Sequence, residues 1–505
     1  MDQLFSLLQG DSSAPDAYVS HVAEMKRFME AFTADPRTRE AFAADPSAAL
    51  RDLNLSQLSP ADAEGLLDQY VLGTTLKAVL TDKAVDPSTP LAVVRYCAFI
   101  AEKVRLRSEI FRASEPTNKA MATWWRRQVN RCAFQFGAAK ASGMVHSPLI
   151  IELSSGCSVG CWFCGLAAKP YSGYFPHTDH NGQFWRECLD VFRGVIGPAA
   201  GEGVLYWATE PLDNPDYELF VQDYYSVMNR WPQTTTAAAL RDVGRTRRLL
   251  NLGVSHGGLI DRFSVLSVAQ LRDIHSAFTP EELLRVECIP QYRGATMIKT
   301  RVGRAAAVTD SRSNQVAGSD FPGASSIACA SGFLANMSEK SLKLITPCDA
   351  SSRWPLGYWV VAESTFDSPE TLEATLLTMI DRCCVQELPT KKTISLYPNV
   401  IADSRKPENE LVMRADTGVV TVQCLAADSD RLVDTLARGT ETLASLAASN
   451  PYSDNEQVLS TWAVLRKMYR QGLLDEEPDV SSGVRAEETH QGYQHSADTT
   501  RRGSK

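Results

Sequence analysis

The sequence predicts an α/β protein: an open, partial barrel of β/α units, with a helical module ahead of it and an α+β extension behind it. Three observations predict this. From residue 148 to about 308, short apolar runs alternate with helical ones, the pattern of β/α units on a parallel sheet. Before residue 95 only helical periodicity is present, with Val22, Met25, Phe28, Met29 and Phe32 on one face. After residue 400, ELVMRADTGVVTVQCL alternates about a turn like a hairpin, and two helical stretches follow.

The elements can be justified in order. Residues 1–95 form the helical module, and its Asp35-Pro36 and Asp45-Pro46 steps each offer a cap followed by proline at the first helical position. Residues 96–147 continue as a helical linker, ending in KAMATWWRRQVNRCAFQFG. In 148–308, PLIIEL, GVLYWA, DRFSVLS, LLRVECI and MIKTRVGRA read as strands. GQFWRECLDVFRGVI reads as a helix between them, and DYELFVQDYYSVMNR as another, with Tyr217, Phe220, Val221, Tyr224 and Met228 on one face. The polar stretch 309–325 reads as a boundary loop, and a mixed extension over the barrel mouth runs to 400. Residues 401–478 read as a winged-helix-like unit whose last helix carries Val458, Leu459, Trp462, Leu465, Met468 and Tyr469 in one stripe. The tail, 479–505, has almost no aliphatic content and is expected to be disordered.

Composition narrows the function. At 505 residues and 44% hydrophobic, the chain can bury two or three cores. A net charge of -9 argues against wrapping a phosphate backbone, so no nucleic-acid partner is expected. The start lacks a signal-peptide pattern and no run approaches a membrane span, so a cytoplasmic protein without a membrane partner is expected. Twelve cysteines are too sparse for a disulfide scaffold, and a tight cluster of them reads as metal or redox chemistry.

That cluster is SSGCSVGCWFCG, with Cys157, Cys161 and Cys164 just after a strand. Three thiolates on one loop hold three corners of a 4Fe-4S cube and leave the fourth iron open for a non-protein ligand. Structural zinc would need a fourth ligand, for which His177 and His180 are the neighbouring candidates. The order and spacing, with aromatic Phe163 just before the last cysteine, resemble the radical SAM superfamily motif. The resemblance implies a partial (β/α)6 TIM-like barrel, one 4Fe-4S cluster and S-adenosylmethionine, cleaved to a 5'-deoxyadenosyl radical. Ala208, Thr209, Glu210 and Pro211 resemble the family's Gly-Gly-Glu-Pro step with both glycines replaced, which implies Glu210 as the partner of the methionine ammonium. Ser264 or Ser267 falls where the family places a hydroxyl toward the ribose or carboxylate. Arg301 and Arg304 in KTRVGRA are candidates for the carboxylate or for the substrate backbone.

Longer phrases, among them RFSVLSVAQLRDIHSAFTPEELLRVE, VGRA, CASGFLANMSEKSLKLITPC and RWPLGY, resemble radical SAM peptide epimerases of the PoyD type. Such enzymes convert L- to D-residues in ribosomally made precursor peptides. The implied chemistry removes a Cα hydrogen and returns one to the opposite face, for which a thiol with its weak S–H bond is suited. Cys348, after a proline at a strand end, is the first candidate donor and Cys329 the second. Cys288, Cys383, Cys384 and Cys424 read as structural. An auxiliary cluster using Cys329 and Cys348 would make the chain a crosslinking or oxidising maturase instead, and a non-catalytic peptide-binding scaffold with a vestigial cluster is the reading from another class. The implied partners are a precursor peptide, its leader held by the winged-helix-like unit through strand addition, and an electron donor such as flavodoxin or ferredoxin.

Overall fold

The computed structural model describes all residues except 1–3, 10–12, 293–294, 296–301, 308–325, 398–399, 406–409, 416–417, 424–425, 449–454 and 479–505. The expected boundary loop at 309–325, the disordered tail, Arg301 and Cys424 therefore lie outside the described residues.

The N-terminal part is helical as expected: α1 (Asp16–Ala34), α2 (Pro36–Ala44), α3 (Pro46–Asp52), α4 (Pro60–Leu67), α5 (Gln69–Leu80) and α6 (Leu91–Ala113). Asp35 and Asp45 cap α2 and α3 through their carboxylates, with proline at the first helical position. Val22, Met25 and Phe28 of α1 are fully buried and share a core with Leu50, Leu66 and Val93. Two buried carboxylates tie down its loops: Glu24 accepts the backbone N–H groups of Gln57 and Leu58, and Glu102 those of Leu7 and Leu8.

Then follow α7 (Lys119–Phe136), α8 (Ala138–Ala141), β1 (Ser147–Glu152), β2 (Ser154–Ser155), β3 (Gly173–Tyr174), α9 (Asp179–Ile196) and α10 (Tyr217–Met228). The chain continues through β4 (Thr235–Thr236), α11 (Val243–Ser255), β5 (Asp261–Val265), α12 (Val268–Ala277) and β6 (Val286–Pro290). The last part holds β7 (Ala330–Asn336), β8 (Ser341–Pro347), β9 (Tyr358–Thr365), α13 (Pro369–Cys383), β10 (Ile401–Arg405), β11 (Glu410–Ala415), β12 (Gly418–Gln423), α14 (Ala426–Arg438), α15 (Leu443–Ala448) and α16 (Asn455–Arg470).

The mixed α/β class is as expected, but among the described residues no sheet closes into a barrel. One sheet has the order β1-β7-β8-β9 and another the order β4-β5-β6, the latter parallel throughout. Two expectations need correction. GVLYWA contributes only a bridge from Val204 to Ile150, and the end of MIKTRVGRA runs into a 3-10 turn, Gly303–Ala307. The segment expected to lie over the barrel mouth supplies β7, which pairs parallel with β1. Every residue of β7 is buried, so it needs a neighbour on each side, and β1 and β8 provide them.

Leu149 and Ile151 of β1 face Trp185, Leu189 and Phe192 of α9 and Tyr217, Phe220 and Tyr224 of α10, all essentially inaccessible. Each such aliphatic side chain contributes about 1.5–3 kcal/mol by burial. Ile150, Leu334 and Ile345 point to the opposite face with Val204, Trp207 and Tyr358. The hairpin read at residues 410–425 is β11–β12; β10 joins it as a third antiparallel strand, and the unit docks on α7. There Arg127, 1% exposed, bonds Glu476 at 2.6 Å and stacks over Tyr469. No described helix is long and apolar enough to cross a membrane.

Candidate functional site

The cysteine loop hangs from the end of β1 by a narrow neck. Ser154 and Ser155 pair with Tyr174 and Gly173, and the Cys157 N–H donates to Lys169 O at 2.9 Å. The neck depends on Gly156: its φ is +75°, and a Cβ there would lie 2.3 Å from Pro170 O. Asp213, after the Glu210 turn, accepts from Ser158 N–H at 2.8 Å and from Arg241 at 2.7 Å, fixing the start of the loop.

Within it, Cys157, Cys161 and Cys164 are free and half-buried. Backbone N–H groups of Val159 and Gly160 point at the Cys157 sulfur, and Ala168 N–H lies 3.5 Å from Cys164 Sγ. N–H groups aimed at sulfur stabilise thiolate and cluster-bound sulfur. Burial and the neighbouring Cys164 and Cys157 push the Cys161 thiol up to about 11, and burial raises Cys157. Thiols gathered together and half-buried resist ionising; a bound metal centre reverses this, so the donor set fits a cluster. Phe163 packs edge-on against Trp162, which is 38% exposed.

The VGRA and RWPLGY phrases meet on this loop. Gly303, at φ +55°, lies so close that a Cβ would meet Gly165 O at 2.3 Å, and its N–H donates to Pro355 O. Arg304 donates from its backbone N–H to Cys164 O at 3.0 Å and from Nη2 to Ala168 O at 2.8 Å, clasping both ends of the last turn. Arg304 thus holds the loop, while the charge of its guanidinium acts on the Cys161 thiol.

Glu210 is 3% exposed and lies close enough to Cys157 to raise its thiol. Its carboxylate accepts from Thr236 Oγ1, from Ala237 N–H at 2.9 Å and from Leu212 N–H at 3.2 Å. A carboxylate has about four acceptor directions, so one is left for a ligand. Burial pushes the Glu210 carboxyl up while these three donors pull it down. Ser267 is engaged elsewhere: its hydroxyl caps α12 by accepting Gln270 N–H at 3.0 Å. Ser264 lies on β5 opposite Ile289 of β6 and is half-buried.

Glu152, which the sequence reading passed over, closes β1. It accepts Ala208 N–H at 2.7 Å and Asn336 Nδ2 at 3.2 Å, joining the strand that carries the cysteines to the turn that carries Glu210. Burial raises its carboxyl to about 7. A lone acidic residue inside the apolar run PLIIEL is the available signal.

The pairing of Gly332 with Ile345 and the bond between the Ser331 and Thr346 hydroxyls place Cys329 and Cys348 at the same open end of the β7–β8 hairpin. Their surroundings differ. Cys348 is 3% exposed and packs with Phe134, Trp354 and Trp359 under the C-terminal unit, its thiol raised by burial and facing Arg131, Asp349 and Cys132. Cys329 is half-buried, with Arg262 of β5 nearby, and the Tyr206 phenol shares both neighbours. Two residues earlier, the Ile327 side chain abuts Gly165 of the cysteine loop. His177 bonds Asp223 at 2.8 Å, so the expected alternative zinc ligand already has a partner. Cys384 is buried near Arg127, away from Cys348's apolar cluster.

Fold and site define a mixed α/β protein with a three-cysteine loop closed over by a buried glutamate and an arginine clasp. No protein-family model matches the chain, and no solved structure matches it. Among curated proteins, the uncharacterized protein y4wI of Sinorhizobium fredii (strain NBRC 101917 / NGR234) is 39% identical over 349 residues, covering 63% of this chain and 68% of y4wI. The chain belongs to the same family as y4wI.

Proposed function

We propose that this protein is a radical SAM epimerase that converts L- to D-residues in a ribosomally made precursor peptide. The observation that carries the reading is the convergence of Cys157, Cys161 and Cys164 with Glu210 at the end of β1. On this reading β1 and the parallel β4–β5–β6 sheet belong to a partial (β/α)6 barrel, which the antiparallel β7–β8–β9 strands extend. Cys157, Cys161 and Cys164 hold a 4Fe-4S cluster, which when bound supplies the electron that cleaves S-adenosylmethionine to a 5'-deoxyadenosyl radical. Glu210 offers its remaining acceptor direction to the methionine ammonium, and Arg304 keeps the loop shut around the site.

The substrate Cα hydrogen would pass to the 5'-deoxyadenosyl radical, giving 5'-deoxyadenosine; a thiol S–H bond then breaks and its hydrogen atom joins Cα from the other face. The thiol becomes a thiyl radical, which the flavodoxin or ferredoxin partner reduces with one electron as solvent returns one proton. Cys329 suits the donor role better than Cys348, because the segment leading to it touches the cysteine loop while Cys348 is enclosed in an apolar cluster. The leader is held by strand addition at an open edge of the β10–β11–β12 sheet, and the enzyme works in the cytoplasm.

The test is coexpression with a precursor peptide in deuterated water, followed by mass spectrometry, for the unaltered enzyme, Cys329→Ala and Cys348→Ala. Deuterium at peptide Cα positions, lost in Cys329→Ala and kept in Cys348→Ala, is the expected result. Loss only in Cys348→Ala exchanges the two roles. A peptide two hydrogens lighter without deuterium sinks the epimerase reading in favour of an oxidative maturase, and no S-adenosylmethionine cleavage by reconstituted protein favours the scaffold.

A further inference from the structure

We propose that Glu30 of α1, His275 of α12 and Cys288 of β6 form a second metal site, separate from the cysteine loop, that binds a zinc-like divalent ion and fastens the N-terminal helical module to the β4–β5–β6 sheet. One ligand atom from each residue lies within 4.8 Å of the others. The three come from distant parts of the chain and meet where α1 packs on α12, beside the edge strand β6.

The carboxylate of Glu30 is divided between two tasks. Oε1 accepts from Lys26 Nζ at 2.6 Å and from Cys288 N–H at 3.4 Å. Oε2 faces His275 Nε2 at 3.5 Å. A tetrahedral ion with bonds of about 2.0 Å to N and O sets those two ligands about 3.3 Å apart, so this edge is already close to size. The His275 side chain is 9% exposed, and its Nε2 has no hydrogen-bond partner of good geometry. A buried ring nitrogen whose polar neighbour is a carboxylate oxygen 3.5 Å away gains a closer partner by coordinating a metal.

One imidazole, one thiolate and one carboxylate is a donor set suited to zinc, with a fourth position left for water. Lys26 is the obvious competitor, since it already offers Glu30 a positive charge. It occupies Oε1 only, and a ligating carboxylate whose other oxygen is held by a hydrogen-bond donor is ordinary support for a metal ligand. Only the thiolate ligates, so binding an ion here releases the Cys288 proton.

The inference does not rest on the radical SAM reading, and its test excludes the cysteine loop. In the full chain carrying Cys157→Ala, Cys161→Ala and Cys164→Ala, zinc is measured after purification without chelator and again after adding zinc. The expected result is one equivalent per chain, falling to background in His275→Ala and Cys288→Ala. Cobalt(II) added to zinc-stripped protein is expected to give a thiolate-to-metal charge-transfer band, a readout that needs no ligand variant to fold. Less than a tenth of an equivalent after zinc addition overturns the proposal and leaves Lys26, Glu30 and His275 as a purely ionic network. Bound cobalt without the thiolate band, or zinc retained in both variants, overturns it as well.

Discussion

The carboxylate of Glu152 accepts the backbone N–H of Ala208 at 2.7 Å, and so couples the strand that delivers Cys157 to the turn that delivers Glu210. Glutamine keeps a carbonyl acceptor for that N–H, whereas alanine leaves it unpaired at an estimated cost of about 1–3 kcal/mol. If the chain binds S-adenosylmethionine as proposed, Glu152→Gln is expected to bind it within about threefold of the unaltered protein, and Glu152→Ala roughly tenfold more weakly or worse, at equal iron content. Calorimetry on anaerobically reconstituted protein measures both. Equal affinity in the two variants would leave Glu152 a packing residue.

Glu152 also sets a pH dependence. Its carboxyl is raised by burial from 4.5 to about 7, so the folded state keeps the proton that the unfolded chain gives up. The associated stability is complete below pH 4.5 and is lost as pH rises to about 7, by up to about 3 kcal/mol. Asp261, raised to about 7 by burial and bonded to Thr234 N–H, adds to the loss with the same sign. Urea unfolding across pH 5 to 7 should show this decline, shallower in Glu152→Gln and shallower again with Asp261→Asn added.

Gly156 should tolerate no side chain. An alanine there meets Pro170 O and takes up a positive φ, each unfavourable by on the order of 1 kcal/mol or more. If the loop holds the proposed cluster, Gly156→Ala is expected to take up markedly less iron on anaerobic reconstitution while keeping the circular dichroism of the whole chain. Unchanged iron would mean that the neck of the loop is not what presents the thiols.

Arg127 carries the docking of the C-terminal unit on α7. Arg127→Ala leaves Glu476 without its partner and removes the stack on Tyr469, so a destabilisation of about 3 kcal/mol is expected in chemical denaturation. Limited proteolysis should then release the region after residue 400 first. A change below about 0.5 kcal/mol would show the apolar contacts alone to be sufficient.

If the leader adds a strand to the β10–β11–β12 sheet, amide exchange in 418–423 or 401–405 should slow when a leader peptide is present, with β11 between them little changed. Exchange unaltered in both edge strands would move leader recognition elsewhere.

The sequence by itself determined what depends on local pattern. Asp35 and Asp45 before prolines specify helix starts, PLIIEL specifies a buried strand, and the spacing of Cys157, Cys161 and Cys164 specifies a shared loop, because each rests on residues a few positions apart. Only the tertiary structure decided that β7 lies beside β1, that Gly303 and Arg304 close on Cys164, that Glu152 reaches Ala208, and that Cys329 and Cys348 turn to different surroundings. It also brought Glu30, His275 and Cys288 together. Such contacts join residues far apart in the chain, and packing selects them; no periodicity records which distant strand, proton donor or thiol will become a neighbour.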